Sequence, residues 1–312
     1  MLQIPDIAPV PRVLALGLMT AGPRWRMSAM RALREPLLLW FTQGQGRITV
    51  AGITRGFGPH NAVFIPAGTM HGFDPVARCQ GYAVHFGSAD GLELSPRPFH
   101  LRVRDAAPQR EITQAIEQIL RECEALRPGC ARAVRHQLGL LSVTLERLMI
   151  ESGQTDAPPR SSAARLATRY AALLERDFHS DFGVADYAAA LGVTPTHLTR
   201  ICRSSCGRTA HALLIDRRLF EARRLLADTR LPVKTVAQLT GFATPAYFTR
   251  SFQQHTGMTP TSFRRGSASG GDGVQGSVTP PAEQRDSTLQ HRAQRSGSDW
   301  SDRGTAAGNR RL

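Results

Sequence analysis

From about residue 10 to 100 the chain consists of short apolar runs, PLLLWFT, GRITVAG, NAVFIPAG and GYAVHFG, separated by Gly and Pro. Strand-length runs with such punctuation predict a β-rich domain over 10–105. The period then changes. Ile112, Ile116, Ile119 and Cys123 fall on one helical stripe; after the break RPGC a second stripe carries Leu138, Leu141, Leu145 and Leu148. This predicts a helical hairpin over 106–151. SGQTDAPPRSSA, residues 152–163, reads as a linker. Residues 164–265 keep helical spacing with Thr, Pro or Gly at the breaks, so an all-α domain is expected there. Residues 266–312 are rich in Gly, Ser and Arg, and are expected to be a disordered tail. The expected fold class is α+β.

The helical domain contains a short device twice. Val184, Ala188 and Gly192 align with Val233, Ala237 and Gly241. With one inserted residue, Thr194-Pro195 falls on Thr244-Pro245, Thr199-Arg200 on Thr249-Arg250, and Gly207 on Gly257. Each copy spells a short helix with a small Ala at its crossing, a Gly turn, and a second helix opened by a Thr cap with Pro at its first position, which is helix-turn-helix grammar. On the second helix of the first copy, Leu198, Ile201 and Cys202 form an apolar side while Thr196, Thr199, Arg200 and Arg203 occupy another. In the second copy Phe248 and Phe252 are apolar, and Ala246, Thr249, Arg250 and Gln253 repeat the polar spacing. Such a face suits the major groove, where Arg pairs with guanine and Thr or Ala meets the thymine methyl. Between the copies, 209–228 reads as one long helix with Ile215, Leu219, Ala222 and Leu226 inward and Arg217, Arg218, Arg223 and Arg224 available elsewhere. A rigid spacer would let two readers occupy successive groove turns, about 34 Å apart.

Charge supports this direction. The 312 residues carry a formal net charge of +14, almost wholly from Arg, since Lys234 is the only lysine. Residues 161–265 hold 15 Arg plus Lys against 7 Asp plus Glu. A basic excess of this kind favours a polyanionic partner. Five cysteines without disulfide-like spacing, and no secretory signal, place the protein in the cytoplasm by expectation. Cys123 with Cys130, and Cys202 with Cys206, are read as ordinary thiols rather than a redox pair. No apolar run approaches the roughly 18 residues of a membrane span, so no membrane is expected among its partners.

VAQLTGFATPAYFTRSFQQHTGMTPTSFRR, preceded by RRLFEARRLLADTRLPV, resembles the C-terminal signature of AraC/XylS-type transcriptional regulators. The resemblance covers about 165–265 and rests on Gly241-Phe242, Phe248, Arg250, Phe252, Gly257, Pro260 and Phe263-Arg264. It implies a double helix-turn-helix that binds double-stranded DNA, with Thr196, Thr199 and Arg200, then Pro245, Ala246, Thr249 and Arg250, facing bases; Arg203 and Gln253 extend the two faces. Cys202, where the family usually has Phe, and Ala210, where it usually has Pro, depart from the pattern, and the smaller residue at 202 is expected to loosen the first half's core.

The N-terminal half resembles the family's cupin-like β-barrel sensor through FIPAGTMHGF, residues 64–73. Residues 24–46 lack the paired histidines of a cupin's first motif, so no metal and no cofactor is expected at His60, His71 and His85. Trp40, Phe64, His71 and His85 are the candidate contacts for an unknown small-molecule effector. From the order of the domains, RNA polymerase is expected as a protein partner; the resemblance also suggests a homodimer through the helical hairpin, whose alternative is packing on its own barrel. The protein is expected to be no enzyme; the rival reading is a cupin metalloenzyme with an accessory DNA-binding tail.

Overall fold

A computed structural model describes residues 10–21, 25–75, 78–89, 91–125, 127–153 and 161–269. The expected linker falls mostly, and the expected tail beyond Ser269, outside the described residues. In chain order the elements are β1 (Arg12–Ala15), α1 (Leu16–Ala21), α2 (Trp25–Ser28), β2 (Leu37–Gln43), β3 (Gly46–Val50), β4 (Ile53–Phe57), β5 (Asn61–Ile65), β6 (His71–Pro75), β7 (Gln80–His85), β8 (Phe99–Arg102), α3 (Ala106–Ala125), α4 (Cys130–Glu151), α5 (Ser162–Asp177), α6 (Val184–Ala190), α7 (Pro195–Cys206), α8 (Ala210–Asp228), α9 (Val233–Leu239), α10 (Pro245–Thr256) and α11 (Pro260–Ser269). The fold is mixed α and β. Helix α11 continues to Ser269, so the first four residues assigned to the tail are helical.

The strands form two antiparallel sheets, ordered β1-β7-β2-β5-β8 and β4-β3-β6. A single closed barrel is not formed by this pairing. Strand β2, LLLWFTQ, is buried at each of its first five positions, because both of its faces are covered. Leu37, Leu39 and Phe41 pack between the sheets with Ile48, Phe57 and Phe73, where the rings of Phe41 and Phe57 stack at 4.0 Å. Leu38 and Trp40 face the other way, under α3 and α4, against Ile112, Ile116, Ile119, Leu138, Leu141 and Leu145. The two helical stripes expected from the sequence are therefore buried on the sheet of the same chain. Leu140, Val143 and Ile150 stay exposed on α4.

In the C-terminal region α8 is a spine shared by two cores. Its first half, with Ala210, Leu213 and Leu214, packs with Tyr170, Tyr187, Ala188, Leu198 and Cys202. Its second half, with Ile215, Leu219, Ala222, Leu225 and Leu226, packs with Val236, Ala237, Phe242, Phe248 and Phe252. Cys202 and Phe252 both sit in these cores, fully buried. The first core is completed by Met30 and Met70 from connecting segments of the N-terminal half, and by Tyr170 and Tyr187 packed edge to face. Flexible methionines fill irregular space, and these two join the first core from across the domain boundary.

Further contacts tie the halves together. The Met30 N–H donates to Asp216 Oδ2 at 2.9 Å, and Arg208 pairs with the same oxygen at 2.7 Å. Trp25 meets Phe220 and Phe263 edge to face, with the Arg223 guanidinium 5.2 Å over its ring.

Candidate nucleic-acid interface

The two copies are built alike, apart from one residue inserted between the Gly turn and the Thr cap of the second. Helices α6 and α9 each end on a left-handed glycine, Gly192 at φ 72° and Gly241 at φ 75°. The turn bonds repeat as well: Gly192 N–H donates to Ala189 O and Val193 N–H to Ala188 O, while Gly241 N–H donates to Gln238 O and Phe242 N–H to Ala237 O. Ala188 and Ala237 are fully buried, as helices that cross closely require. Thr194 and Thr244 then cap α7 and α10, their hydroxyls accepting from His197 N–H and Tyr247 N–H at 3.2 Å. Proline follows each cap at the first helical position, where its missing N–H is not needed. Both helices stop at a left-handed glycine, Gly207 and Gly257.

The surroundings of the equivalent turn glycines also differ. A Cβ added at Gly192 would meet open space, whereas one at Gly241 would lie within van der Waals radii of the Ser180 and Phe178 carbonyl oxygens. Those carbonyls accept from Arg218, which also donates to Phe182 O. Arg218 thus clamps the loop after α5 against the second turn.

Of the positions expected to face bases, Thr196, Arg200, Arg203, Pro245, Ala246, Arg250 and Gln253 are exposed, and Thr199 and Thr249 are half-buried. Pro195, Thr196, Thr199, Arg200 and Arg203 line one open cleft of about 420 Å³. Arg200 is oriented from within its own helix, its Nη2 lying 3.0 Å from His197 Nδ1.

The spacer arginines are placed otherwise than the sequence led us to expect. Arg217, Arg218 and Arg223 are buried, each 5 or 6 % exposed. Arg217 makes two 2.7 Å bonds to the Glu175 carboxylate and a longer one to Glu221, with its guanidinium 3.8 Å over the Phe178 ring. Arg224 pairs with Glu221. Arg217 is held by a carboxylate of α5 and Arg218 by three carbonyls of the loop after it, which a forked donor can reach together; Arg223 lies over the Trp25 ring, and Arg224 stays exposed on the spacer. Arg217, Arg218 and Arg223 therefore do not present free charge to solvent.

The N-terminal candidates are not brought to one place. Trp40 and Phe64 lie on the helix-covered face of the five-stranded sheet, with Trp40 Nε1 donating to Thr113 Oγ1 at 3.0 Å. His71 and His85 lie elsewhere, among Arg31, Glu35 and Arg12. His85 Nδ1 is 2.8 Å from Glu35 Oε1, which Arg12 also approaches at 2.7 Å, while His71 Nδ1 bonds the Thr69 carbonyl at 2.9 Å. All four side chains are buried. His60 tilts against Trp40. Among the described residues no group of three or more His, Cys, Asp or Glu side chains is placed to hold a metal ion, so these donors do not fit a cupin-type metal centre.

Burial, and next to it the Arg31 charge, lowers the His71 pKa from 6.5 to about 3. A base held neutral when folded binds fewer protons than the unfolded chain between those values, so its contribution to stability falls away as pH drops below about 6.5. The replacement His71→Gln, which keeps a donor for Thr69, is expected to flatten the loss of urea midpoint between pH 7 and 5; parallel profiles for the two proteins would contradict this placement. Burial likewise raises the Cys123 thiol and pushes Cys202 up to about 12, which leaves both thiols protonated and unreactive.

Two matched helix-turn-helix units on one spine define a DNA-binding class of domain. Residues 187–266 match the family described as a helix-turn-helix domain, within the segment that resembles AraC/XylS-type regulators. The chain is 33% identical over 129 residues to the arabinose operon regulatory protein of Salmonella typhimurium, covering 41% of this chain and 45% of that protein. It is 37% identical over 120 residues to the HTH-type transcriptional regulator GlxA of Rhizobium meliloti, covering 36% and 37%. The chain thus spans less than half the length of these curated relatives. Among solved structures it is similar to the C-terminal domain of AraT, a response regulator from Geobacillus stearothermophilus, at 27% identity and a TM-score of 0.32, covering 34% of this chain and 88% of that one. Among the described residues no helix is long and apolar enough to cross a membrane.

Proposed function

We propose that the protein is a sequence-specific DNA-binding transcriptional regulator whose helices α7 and α10 read successive major-groove turns. The observation that carries this is the in-register repetition of outward side chains, exposed Thr196, Arg200 and Arg203 with half-buried Thr199 on one helix and exposed Ala246, Arg250 and Gln253 with half-buried Thr249 on the other, on identically capped frames. The spine between them is 19 residues, or about 28 Å long at 1.5 Å per residue. That length is comparable with the groove repeat. Pro245 belongs to the second face, at its first turn. Tethering two modest readers raises the effective concentration of each at its half-site.

Replacing Arg250 by Ala should cost about 1–3 kcal/mol on a selected site and much less on random duplex. Competition binding at moderate salt reads the difference; equal weakening on both would reduce Arg250 to a phosphate contact and remove the reading role.

We assign effector recognition to the N-terminal, cupin-like sheets as a whole, since Trp40 and Phe64 lie on one face and His71 and His85 away from it. The exposed strip Leu140, Val143 and Ile150 on α4 supports a homodimer, and RNA polymerase is the expected protein partner of a cytoplasmic regulator of this type. An enzyme reading is not favoured, because the histidines that it would need are engaged separately with Trp40, Thr69 and Glu35.

A further inference from the structure

The β3–β4 hairpin belongs to the N-terminal sheets but ends on the helix-turn-helix domain. Its two-residue turn has both central positions in the left-handed region, Ala51 at φ 49° and Gly52 at φ 76°, the arrangement whose twist matches the flanking strands. Gly52 is buried against α5: a Cβ there would sit 2.8 Å from the Ala167 carbonyl oxygen and 3.5 Å from Ala171 Cβ. Thr49 and Thr54 bond each other across the strands at 2.6 Å. The hairpin is fixed at its tip to the same helix that packs on α7.

Behind that tip, Arg47, Thr54, Arg55 and Gly56 form one wall of an open cleft of about 280 Å³; Ser204, Ser205, Cys206 and Gly207 at the end of α7 form the other. Ser204 lies one turn beyond Arg200, and Gly207 one turn beyond Arg203, so this wall begins where the reading face of α7 stops. Arg47, Arg55, Gly56 and Ser204 are exposed. Asp74, opposite Arg47 on β6, offsets part of the charge. Two guanidinium groups on a rigid hairpin, flanking a groove-reading helix, match the chemistry of a phosphodiester backbone.

We propose that the β3–β4 hairpin, through Arg47 and Arg55, contacts the phosphate backbone of duplex DNA beside the first half-site, so that the N-terminal domain is itself part of the DNA-binding surface. This inference rests on the reading role assigned to α7 and α10. It predicts a grip longer than the helix-turn-helix domain alone provides, and one carrying no sequence information.

The test uses the full chain, duplex selected from a random pool, and unselected duplex. Both arginines are surface residues, so Arg47→Gln with Arg55→Gln should leave the thermal midpoint unchanged. The double variant is expected to bind selected and unselected duplex alike roughly tenfold more weakly at low salt, and to lower the salt slope by about 2, near 0.9 for each phosphate no longer neutralised. Its hydroxyl-radical footprint should shorten beside the first half-site. Neutralising Arg121 and Arg135, which are exposed on α3 and α4, makes the same charge change elsewhere and should leave slope and footprint as they were. An unchanged slope and footprint in the hairpin variant, while Arg250→Ala still loses selectivity, overturns the inference and leaves the reading role intact. Tighter binding by the hairpin variant overturns it too, since the hairpin would then obstruct DNA. If the unaltered chain binds no duplex, both readings fall.

Discussion

Gly241→Ala is expected to destabilise the protein by about 3–5 kcal/mol, whereas the matching change Gly192→Ala in the first copy should cost only about 1–2. The shared part is the left-handed backbone, which disfavours any L side chain by roughly 1–2 kcal/mol. The difference is local space. At Gly192 nothing lies within 4 Å of the added carbon; at Gly241 the Phe178 carbonyl oxygen would be 2.5 Å away, with the Ser180 carbonyl closer still, and Arg218 Nε at 3.0 Å. The obstacles are backbone atoms already holding Arg218, so relief would break buried hydrogen bonds as well as shift the loop. Overpacking of this kind adds roughly 1–3 kcal/mol, and unmade buried bonds add more. Chemical denaturation of the two variants side by side checks this. Equal losses would mean that the loop after α5 yields freely, contrary to the clamp described.

Arg217→Ala is expected to be as damaging, by about 3–5 kcal/mol, because it strands the Glu175 carboxylate where one partner of a buried pair has been removed. Arg217 is 5 % exposed and its fork also stacks on Phe178. Read from the sequence alone, the same arginine is a free cation on the spacer, whose loss would lower the salt slope of DNA binding by about 0.9 and leave stability alone. For each observable one account expects a change and the other none. A large drop in unfolding midpoint with an unchanged salt slope for the folded fraction supports the structure; the reverse pattern contradicts it.

These two residues mark where the sequence is informative. The repeat was legible because Thr-Pro, Gly and the apolar spacing are local devices, whose chemistry is set within a few residues: Thr194 and Thr244 cap as expected, and Gly192, Gly207, Gly241 and Gly257 all adopt positive φ. The placement of Arg217 and Arg218 was not legible, since their partners Glu175, Phe178, Ser180 and Phe182 lie 36 to 42 residues away. Nothing in the helical period of α8 separates a solvated arginine from one reaching a distant carbonyl. In the N-terminal half, alternation is silent on β2 because both faces are covered; Trp40 and Phe41 read alike, yet one packs under α3 and the other between the sheets. The methionines that complete the first helix-turn-helix core, Met30 and Met70, come from a different domain and carry no signal that periodicity within 164–265 reveals. A fragment confined to that range would lose them, so the full chain is the proper object for binding studies.

The central claim is that two readers are held on one stiff spine at the spacing of the duplex. Selection of bound sequences from a random duplex pool tests it most directly, with the unaltered chain and with Arg250→Ala. The account predicts a consensus of two elements about one helical turn apart, of which the variant loses one and keeps the other. A consensus with a single element, or one whose two elements vary freely in separation, would contradict it.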